Sequence, residues 1–211
     1  MVALGFTRTH GRLACQSMAN HAVIPYSRIW NASMMLPQDL LVLLKPIACP
    51  RARWTYAELG EALHMSASQV HRSIGRSLVS GLAVARQRGQ WQPVRPALLE
   101  FAVHGLRYVF PATVGPVRRG VPTAFAAPPL AELISAPADE RPVWPHPQGS
   151  VRGPSLSPLC RNAPAAALLD ARLHELLALL DALRSGRQRE RELARKLFAE
   201  RLAPVEQTDA A

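Results

Sequence analysis

The chain has 211 residues and carries 25 Lys and Arg against 15 Asp and Glu, a formal net charge of +10. A chain of this length can hold one small domain with further structured material, but not two large domains. Its cysteines, Cys15, Cys49 and Cys160, are scattered, which argues against a structural zinc site or a disulfide framework and predicts a cytoplasmic protein. No apolar run approaches the ~18 residues that span a membrane, so no membrane contact is expected.

The positive charge is concentrated in the first half of the chain. Residues 36–107 carry nine basic and four acidic residues, and residues 1–35 carry three arginines and no acid, whereas residues 164–211 are balanced at eight of each. A localised excess of arginine is an electrostatic footprint for a polyanion. Residues 1–35 contain no continuous apolar segment, so they are predicted to be a poorly ordered extension rather than a signal peptide.

The first predicted helix covers residues 36–48, LPQDLLVLLKPIA. Pro37 fits its first turn, where a missing backbone N–H is tolerated, and Pro46 helps to end it. The leucines between them supply apolar faces, so this helix is predicted to pack against the helices that follow.

Two helix-start signals come next. Thr55 with Glu58, and Ser66 with Gln69, have the spacing of a capping box, in which two side chains satisfy free backbone N–H groups at a helix start. They predict two short helices joined by a turn at residues 63–65.

The second of these helices has an apolar stripe from Val70 to Leu78 and is predicted to stop at Gly81. Two short strand-like runs then flank residues 86–90 and predict a β-hairpin. Residues 96–104 are predicted to form a helix that closes the domain.

This order of elements resembles the winged helix-turn-helix of bacterial transcription regulators, including the MarR-like group. The residues that carry the resemblance are Leu59, Gly60, Leu63, Ser66, Val70, Arg72, Ile74, Leu78, Gly81 and Leu82. The resemblance implies a DNA-binding domain at residues 36–105, in a protein that is mainly α with a small β-wing. One position departs from it, because His64 stands where the turn usually carries glycine, and a positive φ there has some cost for histidine.

In a winged helix-turn-helix, the start of the second helix enters the major groove of double-stranded DNA. The predicted base-reading residues are therefore Ser68, Gln69, His71 and Arg72, with Arg72 as the candidate for bidentate recognition of a guanine edge. The predicted contacts to the DNA backbone are Ser66, Arg51, Arg53, Arg76, Arg86 and Arg88. The alternative is that these arginines form only a solvated face and that the domain binds protein.

Residues 106–163 contain most of the chain's 19 prolines. Prolines at this density exclude long helices and central strands, but the segment also carries aromatic residues, which are rare in disordered chains. It is predicted to be a mostly extended, ordered layer on the winged domain, with a short helix near residues 130–134.

Residues 164–203 are predicted to form an αα-hairpin, and residues 204–211 a tail. Leucines spaced alternately by four and three residues make a two-heptad seam, formed by Leu169, Leu173, Leu176, Leu180 and Leu183. Terminal helices form the dimer interface in the MarR-like regulators that this chain resembles, so the seam is predicted to build a homodimer. The alternatives are packing within the same chain and contact with a different protein partner, through the hairpin or the proline-rich segment.

Three classes of function compete. The first is a sequence-preferring, DNA-binding transcription regulator. The second is an antitoxin-like interaction protein that binds a partner, with a nucleotidyltransferase-type toxin as one candidate, and autoregulates through its helix-turn-helix. The third is an enzyme, which the sequence disfavours because it shows no nucleophile–base pair, carboxylate cluster or phosphate loop. No metal or other cofactor is expected.

Overall fold

The computed structural model describes residues 34–51 and 53–204, so the predictions for residues 1–33 and for tail residues 205–211 fall outside it. The elements in chain order are α1 (Pro37–Ala48), α2 (Tyr56–Ala62), α3 (Ala67–Val79), β1 (Ala83–Ala85), β2 (Trp91–Pro93), α4 (Arg95–Glu100), α5 (Leu106–Val109), β3 (Val114–Pro122), β4 (Val143–Pro145), β5 (Val151–Leu156), α6 (Ala163–Leu169), α7 (Ala171–Ser185) and α8 (Gln188–Leu202). The protein is mainly α with a small β content, as predicted, but the three-stranded sheet β3–β5 was not expected.

The first three helices and the β-hairpin lie where the sequence predicted them. Gly60 permits the close return of the chain after α2, because a Cβ atom there would lie 2.5 Å from the carbonyl oxygen of Met65. Gly81, with φ of 73°, ends α3 in the left-handed conformation that glycine adopts readily. β1 and β2 pair antiparallel around a 3₁₀ turn at Gln87–Gly89.

The closing helix is longer than predicted. A π-helical turn at Phe101–Gly105 joins α4 to α5, so the backbone is helical from residue 95 to residue 109. Leu98 and Leu106 are fully buried on it. The helix therefore carries the chain out of the hairpin region while contributing to the same core.

The proline-rich segment, predicted to be mostly extended and without central strands, forms a small sheet in which β3 has a partner strand on each side, so the exclusion of central strands is wrong. β3 pairs antiparallel with both β4 and β5, and one parallel pair between β4 and β5 closes the three strands on themselves. Pro122 and Pro145 end their strands and Pro116 lies at the register shift between Gly115 and Val117, positions where a ladder tolerates a missing N–H. Pro154 lies inside β5, opposite Val117 and next to the same shift. The predicted helix near residues 130–134 is a single 3₁₀ turn at Leu130–Glu132.

The leucine seam is not an exposed interface, and this corrects the predicted dimer surface. Leu173, Leu176, Leu180 and Leu183 are each at most 4% exposed within their own chain. The broad apolar face of α7 is covered on several sides, since α1, α5, α6 and α8 all contact it. Leu169 is 69% exposed, but it is the last residue of α6 and does not belong to α7. The predicted single helix is divided at Asp170, which caps the start of α7. The alternative of packing within the chain is the one observed.

One continuous cluster of buried side chains runs through the segments that the sequence suggested as separate domains. It includes Leu41 of α1, Val70 of α3, Leu106 of α5, Trp144 of β4 and Leu180 of α7. The helices of residues 36–105 are therefore held by a core to which the proline-rich and C-terminal segments also contribute.

Candidate nucleic-acid interface

Both predicted capping boxes are formed. The Thr55 hydroxyl accepts a hydrogen bond from the backbone N–H of Glu58, whose carboxylate accepts one from the N–H of Thr55. The hydrogen bonds from Thr55 hold the pKa of Glu58 below its usual value. Ser66 and Gln69 make the equivalent pair of bonds at the start of α3. The turn between the helices places His64 at φ of 52°, so histidine takes the left-handed conformation at this position.

The outward face of α3 carries three of the four predicted base-reading side chains. Ser68, His71 and Arg72 are exposed, and the Nε of Arg72 donates a 3.3 Å hydrogen bond to the carbonyl oxygen of Ser68. The ring of His71 meets Tyr56 edge to face with centroids 5.3 Å apart. Gln69 is placed differently, because its Oε1 accepts from both the N–H and the hydroxyl of Ser66. Its amide NH₂ donates to no described residue, so a base contact through that group stays a prediction.

The inward face of α3 differs in one respect from the predicted stripe. Val70 and Ile74 are buried as expected, but Leu78 is 37% exposed, and Ser73 and Ser77 complete the buried face instead. Small side chains there bring α3 close to α1, with which it makes extensive contact. The predicted burial of Val70 and Ile74 on this face is confirmed.

Arg76 does not belong to the exposed cationic surface, which corrects its predicted role as a DNA-backbone contact. Its Nε and Nη2 donate to the two carboxylate oxygens of Asp39 at 2.8 and 2.6 Å, and Nη2 also donates to the Ser73 hydroxyl. Asp39 is fully buried and also accepts from the N–H of Leu36 at the start of α1. Arg76 therefore fixes α3 to α1.

The remaining predicted backbone contacts lie around the start of α2 and on the hairpin. Arg51, Arg53 and Arg86 are exposed, and the guanidinium of Arg51 lies 4.2 Å from the centroid of the Trp54 ring. All three line one cleft between the α1–α2 segment and the hairpin. The backbone of Arg88 lies in the 3₁₀ turn at the hairpin tip, where the sequence predicted it. Its side chain is not among those that the structure describes.

A contact from a distant segment supports the turn between α2 and α3. The side-chain amide of Asn162 donates to the carbonyl oxygens of Leu63 and His64, at 3.2 and 2.6 Å. Those carbonyls belong to the end of α2, where helix acceptors have no partner within the helix. Sequence patterns could not reveal this, because Asn162 lies nearly a hundred residues downstream and before a different helix.

A buried polar cluster joins the small sheet to α7, and it too was missed from sequence. Asp181 is fully buried and accepts hydrogen bonds from the Thr123 hydroxyl, the Trp144 indole and the guanidinium of Arg184. Burial raises the pKa of Asp181, and the charge of Arg184 opposes that rise. The only sequence signal was an Asp–Arg pair three residues apart inside a leucine-rich helix. Its role in the structure is to fix the sheet on α7.

The described residues do not form a reactive thiol centre at Cys160 or a metal-binding cluster. Burial raises the pKa of the Cys160 thiol to about 11, so this sulfur is poorly suited to act as a thiolate nucleophile. Within residues 34–51 and 53–204, no group of three or more His, Cys, Asp or Glu side chains is arranged to hold a metal ion. No helix in those ranges is both long and apolar enough to cross a membrane.

The chain matches no family model, and it matches none of the curated proteins or solved structures with which it was compared. Any function must therefore be argued from the arrangement of its own residues.

Proposed function

We propose that the protein is a sequence-preferring DNA-binding protein of winged helix-turn-helix type, acting as a transcription regulator. In this proposal α3 is the recognition helix and the β1–β2 hairpin is the wing. The observation that carries the proposal is the outward face of α3, where Ser68, His71 and Arg72 are exposed on a helix whose opposite face is fixed in the core. A rigid helix with a free polar face near its N-terminal end has the form that major-groove recognition requires.

Arg72 has the best geometry for reading a base. Its Nε bonds to the Ser68 carbonyl, which steadies the side chain and leaves Nη1 and Nη2 without a hydrogen bond to any described residue. Two donors in a fixed plane match the O6 and N7 acceptors of guanine in the major groove. Ser68 and His71 lie on the same exposed face and would contact neighbouring base edges.

The exposed arginines around α3 supply the contacts to phosphate. Arg51 and Arg53 precede α2 and Arg86 begins the turn of the wing, and none of the three is ion-paired with a described carboxylate. Phosphate contacts of this kind position a protein on the duplex without specifying sequence.

Selection of binding sites from random duplexes, followed by fluorescence anisotropy, tests the proposal. Arg72→Ala should weaken binding to the selected duplex by roughly 1–3 kcal/mol and leave binding to a scrambled duplex nearly unchanged. Arg195→Ala is the matched control, because this arginine is exposed on α8 and its loss removes the same charge. Equal losses on both duplexes would show that Arg72 contacts phosphate, and a selection that recovers no preferred sequence would contradict the proposal.

The wing should contribute affinity without specificity. Arg86→Ala combined with Arg88→Ala should weaken binding to every duplex and reduce the slope of log affinity against log salt by about two charges' worth. An unchanged slope would mean that the hairpin does not reach the DNA backbone.

A further inference from the structure

A cleft with two tryptophans lies beside the proposed recognition helix. It has a volume of about 590 Å³ and lies between the α1–α2 segment and the β1–β2 hairpin. Trp54, which precedes α2, and Trp91 of β2 both line it, and both residues are half-buried. Binding sites for small molecules typically measure about 300–1,000 Å³ and are lined by aromatic side chains with a few polar groups. This space, named here the tryptophan cleft, therefore has the size and the lining of a ligand site.

The charge of the tryptophan cleft has a single sign. Arg51, Arg53, Arg86 and Arg95 line it, and no Asp or Glu is among its lining residues within the described chain. Arg95 is held in place because its Nη1 donates to two carbonyls at the end of α8, whereas the other three arginines are exposed. Glu58 lies near enough to Arg51 and Arg53 for their charges to help lower its pKa, but it forms no ion pair with either and does not line the cleft. The guanidinium groups that line the cleft therefore still repel one another, and a multiply charged anion relieves that repulsion.

The aromatic lining is held in a defined position. The indole Nε1 of Trp54 donates a 3.2 Å hydrogen bond to the carbonyl oxygen of Cys49, and the Arg51 guanidinium lies over its ring at 4.2 Å. Trp91 lies in β2, opposite Ala85 of β1. A rigid aromatic surface next to cations favours a ligand with a flat ring and a negative group.

We propose that the tryptophan cleft binds a nucleotide, with the base against the tryptophans and the phosphate against Arg51, Arg53 and Arg86. A duplex offers phosphates but keeps the faces of its bases stacked inside, so it cannot fill both halves of the cleft. A nucleotide that is free, or unpaired within a single strand, offers both. A simple aromatic carboxylate has a ring but only one charge, fewer than the exposed arginines can bind.

This proposal shares Arg51, Arg53 and Arg86 with the proposed duplex contacts, but its test does not require duplex recognition. The proposed base readers Ser68, His71 and Arg72 all lie on α3, and none of them lines the tryptophan cleft. Binding of a nucleotide can be measured without duplex DNA, so either proposal can fail while the other stands.

Isothermal titration of the full chain with AMP tests the proposal, with adenosine, ribose 5-phosphate and benzoate as comparison ligands. AMP should bind at least about ten-fold more tightly than adenosine, which lacks the phosphate, because a charge-assisted hydrogen bond contributes that much or more. Ribose 5-phosphate, which lacks the base, should be weakened by a similar factor, because base–aromatic stacking is of comparable strength. Arg51→Ala with Arg86→Ala should lower AMP affinity by about ten-fold or more.

Matched variants separate binding from folding. Trp91→Ala should lose about ten-fold in AMP affinity while Trp91→Phe, which keeps an aromatic face, retains most of it. Arg118→Ala is the control for charge, because Arg118 is exposed on β3 and does not line the cleft, and it should bind AMP like the wild type. A short oligo(dA) strand that displaces AMP would identify a strand nucleotide as the ligand, and failure to displace it would identify the free nucleotide. The proposal is overturned if AMP shows no saturable binding at millimolar concentration, if benzoate binds as tightly, or if the arginine and tryptophan variants bind AMP unchanged.

Discussion

Replacing Arg76 by alanine should destabilise the fold, although the residue lies on the helix proposed to bind DNA. The substitution removes both guanidinium hydrogen bonds to Asp39 and leaves a carboxylate with no exposed surface. Breaking a buried ion pair from one side typically costs about 3–5 kcal/mol. The cost should lie near the lower end, about 3 kcal/mol, because the Arg76 side chain is 11% exposed and Asp39 keeps its hydrogen bond from Leu36.

Chemical denaturation followed by circular dichroism measures this cost. Arg72→Ala is the matched control, since Arg72 is exposed one turn earlier on the same helix, and its loss should change the free energy of unfolding by no more than about 0.5 kcal/mol. Neutralising both partners, Asp39→Asn with Arg76→Met, should be less damaging than Arg76→Ala alone, because no charge remains buried without its partner. If Arg76→Ala has the same unfolding midpoint as the wild type, Asp39 does not need the guanidinium as a partner. Arg76 would then be a candidate phosphate contact again.

Two further predictions concern the C-terminal helices. Leu176→Glu with Leu180→Glu should abolish the cooperative thermal transition, because both side chains are at most 2% exposed and a buried unpaired carboxylate is very unfavourable. Leu168→Glu with Leu169→Glu, at exposed positions, is the control and should remain folded. If the first pair gives a folded monomer, the leucine seam is a dimer interface after all. Burial opposes ionisation of Asp170, but hydrogen bonds from Lys45 and from backbone N–H groups outweigh it and lower its pKa. The stabilisation from that carboxylate should thus be fully present above its unfolded pKa of about 3.9 and be lost as the pH falls through the lower folded pKa. The difference in unfolding free energy between wild type and Asp170→Asn should therefore narrow in acid. A difference that stays constant with pH would show that the Asp170 carboxylate does not stabilise the fold.

The features that sequence predicted are those that depend on residues close together in the chain. The two capping boxes need partners three residues apart, and the hairpin needs two short strands around Gly89, whose φ of 70° suits the tip of the turn. The end of α3 at Gly81 is equally local. Such signals are read directly because no distant residue has to be located first.

Two of the main features that sequence missed depend on distant partners. Arg76 and Asp39 are 37 residues apart, and a basic residue on a helix gives no sign of which carboxylate will approach it. The leucine seam shows the same limit, because a wide apolar face specifies burial but not whether the covering surface belongs to the same chain. Here that surface is the chain's own.

The structure also changes what the net charge of the chain means for binding. Counting arginines treats every cation as available, but Lys45 is paired with Asp170 and Arg76 with Asp39. A paired and buried cation adds little to the field outside the protein, because its partner cancels it at short range. The basic residues of this region that stay exposed and without an ion pair to any described residue include Arg51, Arg72 and Arg86. They lie on the outer face of α3 and around the tryptophan cleft. The attraction for a polyanion should therefore come from these few positions, and it is there that single substitutions should change binding without changing the stability of the fold.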